Sequence, residues 1–201
     1  MDTELPASPL FLRLFAEHPW TVVWPLLLAG ALLAWLGARN ERPKQILLGV
    51  AALVVAAGVL TLASLWDSPG EQAAEAVRHL VQCAEQGDVG GVQDCFLDSA
   101  TLHYGTPEAP GVDIRDIRAA AQSLGGRNRV SDNTITELQS ATVDSTTAQV
   151  LLGCRTSTAS SYGAVPTRWW IELVRQPGGP WRIQRLAFLS VAGQRPGPGT
   201  I

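Results

Sequence analysis

VPTRWWIELVRQPGGPWRIQRLAFLSV, residues 165–191, is the stretch that decides the fold. Two runs, 165–175 and 181–191, alternate in polarity around the breaker QPGGP at 176–180. Period two over such lengths is a strand signal, and a Pro-Gly-Gly-Pro join continues neither strand, so the pair reads as an antiparallel hairpin. On the first run Trp169, Ile171 and Leu173 share one face, and Trp170, Glu172 and Val174 share the other.

Working upstream, the same period recurs at 147–156 and 130–139, joined by a turn at Val143-Asp144-Ser145. The loop STASSYGA at 157–164 leads into the quoted hairpin, so four long strands follow one another as a meander. Before them the period is helical. Ala73, Val77, Leu80, Val81 and Ala84 fall on one face, and Gly87 stops that helix. Val89, Val92 and Phe96 mark a short second helix, and a short strand follows at 101–104. Asp113 caps a third helix carrying Ile114, Ile117, Ala121 and Leu124. Helices gathered ahead of an antiparallel sheet predict a two-layer α+β domain over 71–192, its sheet curling around the longest helix. The tail at 193–201 has no apolar periodicity and is expected to be disordered.

Further upstream the chain changes character. Residues 20–38 and 46–65 are two apolar runs without a charge. A helix rises 1.5 Å per residue, so ~20 residues cross a bilayer core, and both runs read as membrane spans forming a hairpin over 20–66. Pro25 lies early in its run, where a missing amide costs least. Trp20, Trp24, Trp35 and Trp66 fall near span ends, where indole rings favour the interface. Gly30, Ala34 and Ala38 in the first run, with Ala52 and Ala56 in the second, would let the helices pack closely. The first run makes a poor cleavable signal, since the second follows so soon; both are expected to be kept. The connecting loop carries Arg39, Arg42 and Lys44, while the outer flanks are acidic. The positive-inside rule then places the loop in the cytoplasm and both ends outside. The segment 1–19 contains a candidate interfacial helix at 8–19, and 67–70 is a linker.

Composition agrees with this division. Charged residues make up 16% of the 201, well below the ~25% of ordinary soluble domains. The net charge of −3 argues against nucleic-acid binding. Three histidines and three cysteines give no metal-site spacing, and no phosphate-loop, dinucleotide or nucleophile-elbow motif occurs. No cofactor is expected. Cys83 and Cys95 lie equally far either side of a helix turn near Val89, which makes them candidates for a disulfide in an oxidising compartment, with Cys154 left over.

Several stretches resemble the nuclear transport factor 2-like superfamily, in particular its SnoaL-like members: AEQGD at 84–88, CFLDSATLHYG at 95–105, GVDIRDIRAAAQSL at 111–124 and PWRIQRLAFL at 180–189. The resemblance implies a cone-shaped, strongly bent sheet wrapped on the helices, with a cavity at its open end. It also implies a range of activities, from isomerases and dehydratases to binding modules, with no shared catalytic motif. On that fold His103 and Tyr104 would lie at the cone mouth. A neutral imidazole there suits a general base, with Glu137 or Glu172 as partner, and Tyr104 and Trp170 would contact a ligand.

Two functions follow. The first is a non-catalytic, membrane-anchored module on the periplasmic side of a bacterial inner membrane. It would bind a small apolar ligand or a membrane-protein partner, serve as an accessory subunit, or pair as a homodimer. The second is a cofactor-independent lyase or isomerase of a small hydrophobic substrate, with His103 as base. A buried, polar-lined cavity with His103 pointing inward would favour the enzyme, and a cavity filled by side chains would favour the module.

Overall fold

The structure is a computed structural model and describes residues 5–6, 20–65, 68–124, 126, 129–159 and 163–197. The candidate interfacial helix at 8–19 and Trp66 lie outside these residues. The chain divides into two compact units, residues 8–68 and residues 1–7 with 69–201.

The first unit is a pair of helices, α1 (Trp20–Arg39) and α2 (Pro43–Leu65). Both are long and apolar enough to cross a membrane. They pack through small residues, with Gly30 and Ala34 on the seam and Ala56 buried as expected, and with Gly37 in place of Ala38 and Gly49 in place of Ala52. Gly30, Ala34 and Gly37 on α1 meet Gly49, Ile46 and Leu53 on α2. A Cβ at Gly49 would sit 2.5 Å from the Ala34 nitrogen, so only glycine permits this approach. Trp20, Trp24, Leu28, Leu32 and Trp35 form an exposed apolar stripe along α1. The Arg39 guanidinium lies 5.5 Å from the Trp35 ring centre.

The second unit is the expected α+β domain. Its elements are α3 (Pro69–Gln86), α4 (Val89–Asp94), β1 (Phe96–Tyr104), β2 (Gly111–Asp113), α5 (Ile114–Leu124), β3 (Val130–Thr142), β4 (Thr147–Thr158), β5 (Val165–Arg175) and β6 (Trp181–Val191). The six strands form one sheet in the order β2-β1-β6-β5-β4-β3. The meander from β3 to β6 is antiparallel throughout, and β1 joins its end parallel to β6.

The caps act as their chemistry requires. Gly87 ends α3 at φ 69°, a left-handed conformation that glycine adopts without strain. Asp88 accepts from the Gly91 N–H and starts α4. Asp113 accepts from the Arg115 N–H at 2.9 Å and starts α5. Phe96, expected on the second helix, instead opens β1, where it pairs with Ile183 and buries its ring. β1 is therefore longer than the stretch 101–104, and the short β2 was not foreseen. Of the expected tail, residue 194 is hydrogen-bonded back to Val191 in a tight turn, and residues 198–201 lie outside the described set. The core fills the space between helices and sheet: Val77 of α3, Leu102 of β1, Val150 of β4, Ile171 and Leu173 of β5 and Ile183 of β6 are almost wholly buried.

Candidate functional site

The site is a cavity inside the cone, and α3 explains why space is left there. The Gly70 N–H donates to Thr142 Oγ1 at 3.1 Å, pinning the start of α3 to the end of β3. The first half of α3 buries Ala73, Ala74 and Val77, whose small side chains let the helix lie close to the sheet. Its second half presents Leu80, Val81 and Ala84 to a cavity of about 440 Å³. Ile117 of α5 with Phe96 and Leu102 of β1 face the same space. That volume is in the range that takes drug-sized molecules.

Strand register sorts the opposite wall by polarity. Val130 and Thr158 pair at the rim, and Asn133, Thr156 and Val165, paired across β3, β4 and β5, form the rung inside it. The next rung is Ile135, Cys154 and Thr167, and the next is Leu138, Leu152 and Trp169. Deeper still, Val150 pairs with Ile171. The wall thus runs from polar at the outer rungs to wholly apolar at the inner ones. Trp169 stacks on Phe188 with ring centres 4.0 Å apart.

The polar rungs are internally bonded. Thr156 Oγ1 donates to Asn133 Oδ1 at 2.6 Å, and Asn133 Nδ2 donates to Glu85 Oε1 at 3.0 Å. Trp169 Nε1 donates to Thr167 Oγ1 at 3.1 Å. Burial pushes the Cys154 thiol up to about 11, with the Asn133 hydrogen bond working against the shift and the Glu85 charge adding to it. A thiol held that way stays protonated at neutral pH and is no nucleophile.

The residues expected to carry chemistry lie elsewhere. His103 is not part of the cavity lining. Its ring is 8% exposed on the opposite face of β1 from Leu102. Nδ1 lies 2.6 Å from the Ala109 carbonyl and Nε2 lies 2.9 Å from Thr101 Oγ1. A carbonyl only accepts, so Nδ1 donates to it and Nε2 takes the Thr101 hydroxyl hydrogen. Both nitrogens are occupied in a structural bracket, which leaves no lone pair for a substrate. Tyr104 packs against the core on the inner side of β1 but does not line the cavity.

Glu172 and Trp170 are on the outer face of the sheet. Glu172 accepts from Arg185 Nε at 2.8 Å and Nη2 at 2.9 Å, and from Gln149 Nε2 at 3.2 Å. The Arg185 guanidinium also lies over Trp170, 5.5 Å from the ring centre. Glu137 is on that face too, accepting from Arg168 at 3.1 Å. Trp170 joins Leu151 and Ala187 in a small apolar patch against which Leu5 and Leu189 pack. The structure therefore brings none of His103, Glu172 and Trp170 to the cavity.

The expected disulfide is not formed: Cys83, Cys95 and Cys154 are all free thiols here. Cys95 Sγ donates to the Gly91 carbonyl at 3.2 Å, and Cys83 Sγ lies 3.7 Å from His79 Nε2. Burial pushes Cys95 up to about 11 and raises Cys83 as well, with nearby acidic groups contributing to both.

Sequence reasoning missed Asn133, Thr156 and Thr167, and chose Trp170 over Trp169. One signal was available for Trp169. The face with Ile171 and Leu173 is uniformly apolar, whereas the Trp170 face carries a carboxylate, so the inward tryptophan is the one on the apolar side.

A SnoaL-like domain model matches residues 70–187. Solved structures similar to this chain include a candidate scytalone dehydratase from Novosphingobium aromaticivorans, at 11% identity and a TM-score of 0.48, covering 63% of this chain and 90% of that one. A candidate ketosteroid isomerase from Shewanella frigidimarina has 13% identity and a TM-score of 0.46, covering 58% and 94%. An NTF2-like protein of unknown function in nutrient uptake from Rhodospirillum rubrum has 12% identity and a TM-score of 0.48, covering 57% and 93%. A comparison with curated proteins gives no match.

Proposed function

Because the chain belongs to the SnoaL-like domain family, whose fold serves enzymes and binding modules alike, we propose that it is a membrane-anchored, non-catalytic module that holds a small apolar molecule in its cone. One observation carries this reading. The cavity is open, its inner wall is apolar, and among the described residues Glu85 at its edge is the one carboxylate or basic side chain that lines it. General acid–base catalysis needs a titratable group within hydrogen-bond reach of the reacting atom. His103, the base expected from the sequence, is bracketed outside. A lyase or isomerase built on His103 is the less favoured reading.

The anchor is the α1–α2 hairpin, with its lipid-compatible stripe and basic loop. The contact of Leu5 with the domain supports it from a separate direction. Residue 5 and the domain share one side, which requires an even number of crossings between them.

The test uses the full chain in lipid nanodiscs and N-phenyl-1-naphthylamine, a neutral apolar fluorophore. Saturable binding at one site per chain, above that of empty nanodiscs and lost in Leu152→Trp, is the expected result. Binding no greater than that of empty nanodiscs would overturn the reading.

A further inference from the structure

The hydrogen-bond directions at the outer rungs define what kind of head group the cavity accepts. Glu85 accepts from Asn133, so the Asn133 oxygen faces Thr156 and takes the Thr156 hydroxyl hydrogen. Thr156 Oγ1 has thereby spent its hydrogen and offers lone pairs only. Across the strand pair the direction is reversed. Trp169 Nε1 donates to Thr167 Oγ1, so the Thr167 hydroxyl hydrogen is left to donate. Thr156 and Thr167 are diagonal neighbours on one face, since Cys154 opposes Thr167 and Thr156 opposes Val165. Diagonal neighbours of this kind are ~7–8 Å apart, somewhat less between their Cβ atoms, so a small head group lying between them can contact both. Among the polar lining groups, which also include Ser123 and Thr158, Thr156 thus offers an acceptor and Thr167 a donor at the more polar end of the space.

We propose that the cavity takes an uncharged amphiphile with a single hydroxyl, the hydroxyl accepting from Thr167 and donating to Thr156, and its apolar body lying toward Leu152, Leu102 and Ile117. This rests on the reading of the cone as a ligand site and adds the chemistry of the ligand. A ketone satisfies only Thr167. A carboxylate meets the lone pairs of Thr156 and the Glu85 carboxylate, with no Arg, Lys or His among the described lining residues to neutralise it. An ammonium gains nothing from the Thr167 hydroxyl hydrogen, and Glu85 is an exposed rim group already bonded to Asn133.

Four probes on one ring system separate these cases: 2-(2-naphthyl)ethanol, 2-naphthylacetate, 2-(2-naphthyl)ethylamine and 2-ethylnaphthalene. Binding to the full chain in nanodiscs is followed by quenching of tryptophan fluorescence, with empty nanodiscs correcting for partitioning. The alcohol is expected to bind at least tenfold more tightly than either charged probe and several-fold more tightly than the hydrocarbon. Thr167→Val should remove most of the alcohol's advantage while leaving 2-ethylnaphthalene binding within twofold. Leu152→Trp should abolish all binding, and Ala84→Leu fills the same space from the helix side should that variant fail to fold. Equal binding of alcohol and hydrocarbon, or an alcohol advantage that persists in Thr167→Val, overturns the head-group assignment but leaves the ligand cavity standing. Preference for either charged probe overturns it too. No saturable binding of any probe overturns the cavity reading itself.

Discussion

His103 shows at the scale of a single residue how a plausible catalytic side chain becomes a structural one. The ring joins β1 to the segment before β2, with Ala109 on one nitrogen and Thr101 on the other. Replacing His103 with Gln keeps an amide able to reach one partner but not both. The expected cost is about 1–2 kcal/mol, one buried hydrogen bond and some packing. Naphthylamine binding should be unchanged, and a chemical-denaturation curve read beside a binding titration checks both halves. The cysteines give a second residue-scale prediction, with a sign. Burial first of all raises the folded thiols of Cys95 and Cys154, each to about 11, so the folded state holds their protons more tightly than the unfolded chain does. Stability from this source is fully present below the ordinary thiol value of about 8.5 and is lost as pH rises towards 11. Melting temperatures measured from pH 8 to 11 should fall, and fall less steeply in a Cys95→Ala, Cys154→Val variant. A slope identical to wild type would show that the thiols are not the titrating groups. What the sequence concealed at this scale was which way each side chain faces. Trp169 and Trp170 are adjacent and chemically identical, and only the company they keep on the pleat tells them apart.

At the scale of elements, the existence of each long strand and helix was legible, because period and breakers are local properties. Register was not. β3 shifts its pairing between Ile135 and Glu137, and β5 shifts against β6 between Glu172 and Leu173. Each irregularity resets the inside–outside alternation, so a period-two count carried along β3 assigns Leu138 to the wrong face. That is why Asn133 and Leu138 both face inward although an odd number of residues separates them. β2 was missed because three residues, GVD, are too short to show a period; it exists through pairing with β1. In the helix pair the decisive element feature is Gly49. Substituting Ala there forces α1 and α2 apart or strains both backbones, since the new methyl would sit 2.5 Å from a backbone nitrogen. Overpacking of this type costs about 1–3 kcal/mol. Gly49→Ala should lower the SDS fraction at which the hairpin opens, read by a fluorophore pair on the two helices, while the melting of the α+β domain stays put. An unchanged midpoint would mean that the seam lies elsewhere.

On the proposed membrane reading, the question for the whole molecule is which side each part occupies, and the loop charges and Leu5 bear on it. The 39–45 loop has Arg39, Arg42 and Lys44 against Glu41 alone, whereas Asp67, Glu71 and Glu75 precede the first base after the second helix. Basic loops are retained in the cytoplasm, because moving Lys or Arg across the membrane is opposed by charge and potential. Trp20 and Trp35, near opposite ends of α1, suit the two interfaces. Leu5 packs on the outer-face patch of Trp170, Leu151 and Ala187, and so ties the start of the chain to the domain. A single crossing would separate those residues by a bilayer; two crossings reunite them. The prediction is a cytoplasmic loop with residue 5 and the α+β domain both outside. In a background with Cys83, Cys95 and Cys154 replaced, Asn40→Cys should be shielded from an impermeant maleimide in intact cells and react only after lysis. Asp144→Cys, in the exposed turn between β3 and β4, should react in intact cells. Labelling of the first and shielding of the second would invert the molecule. Shielding of both in intact cells would take the domain out of the extracytoplasmic space, and with it the Leu5 argument for a hairpin that returns the chain to the same side.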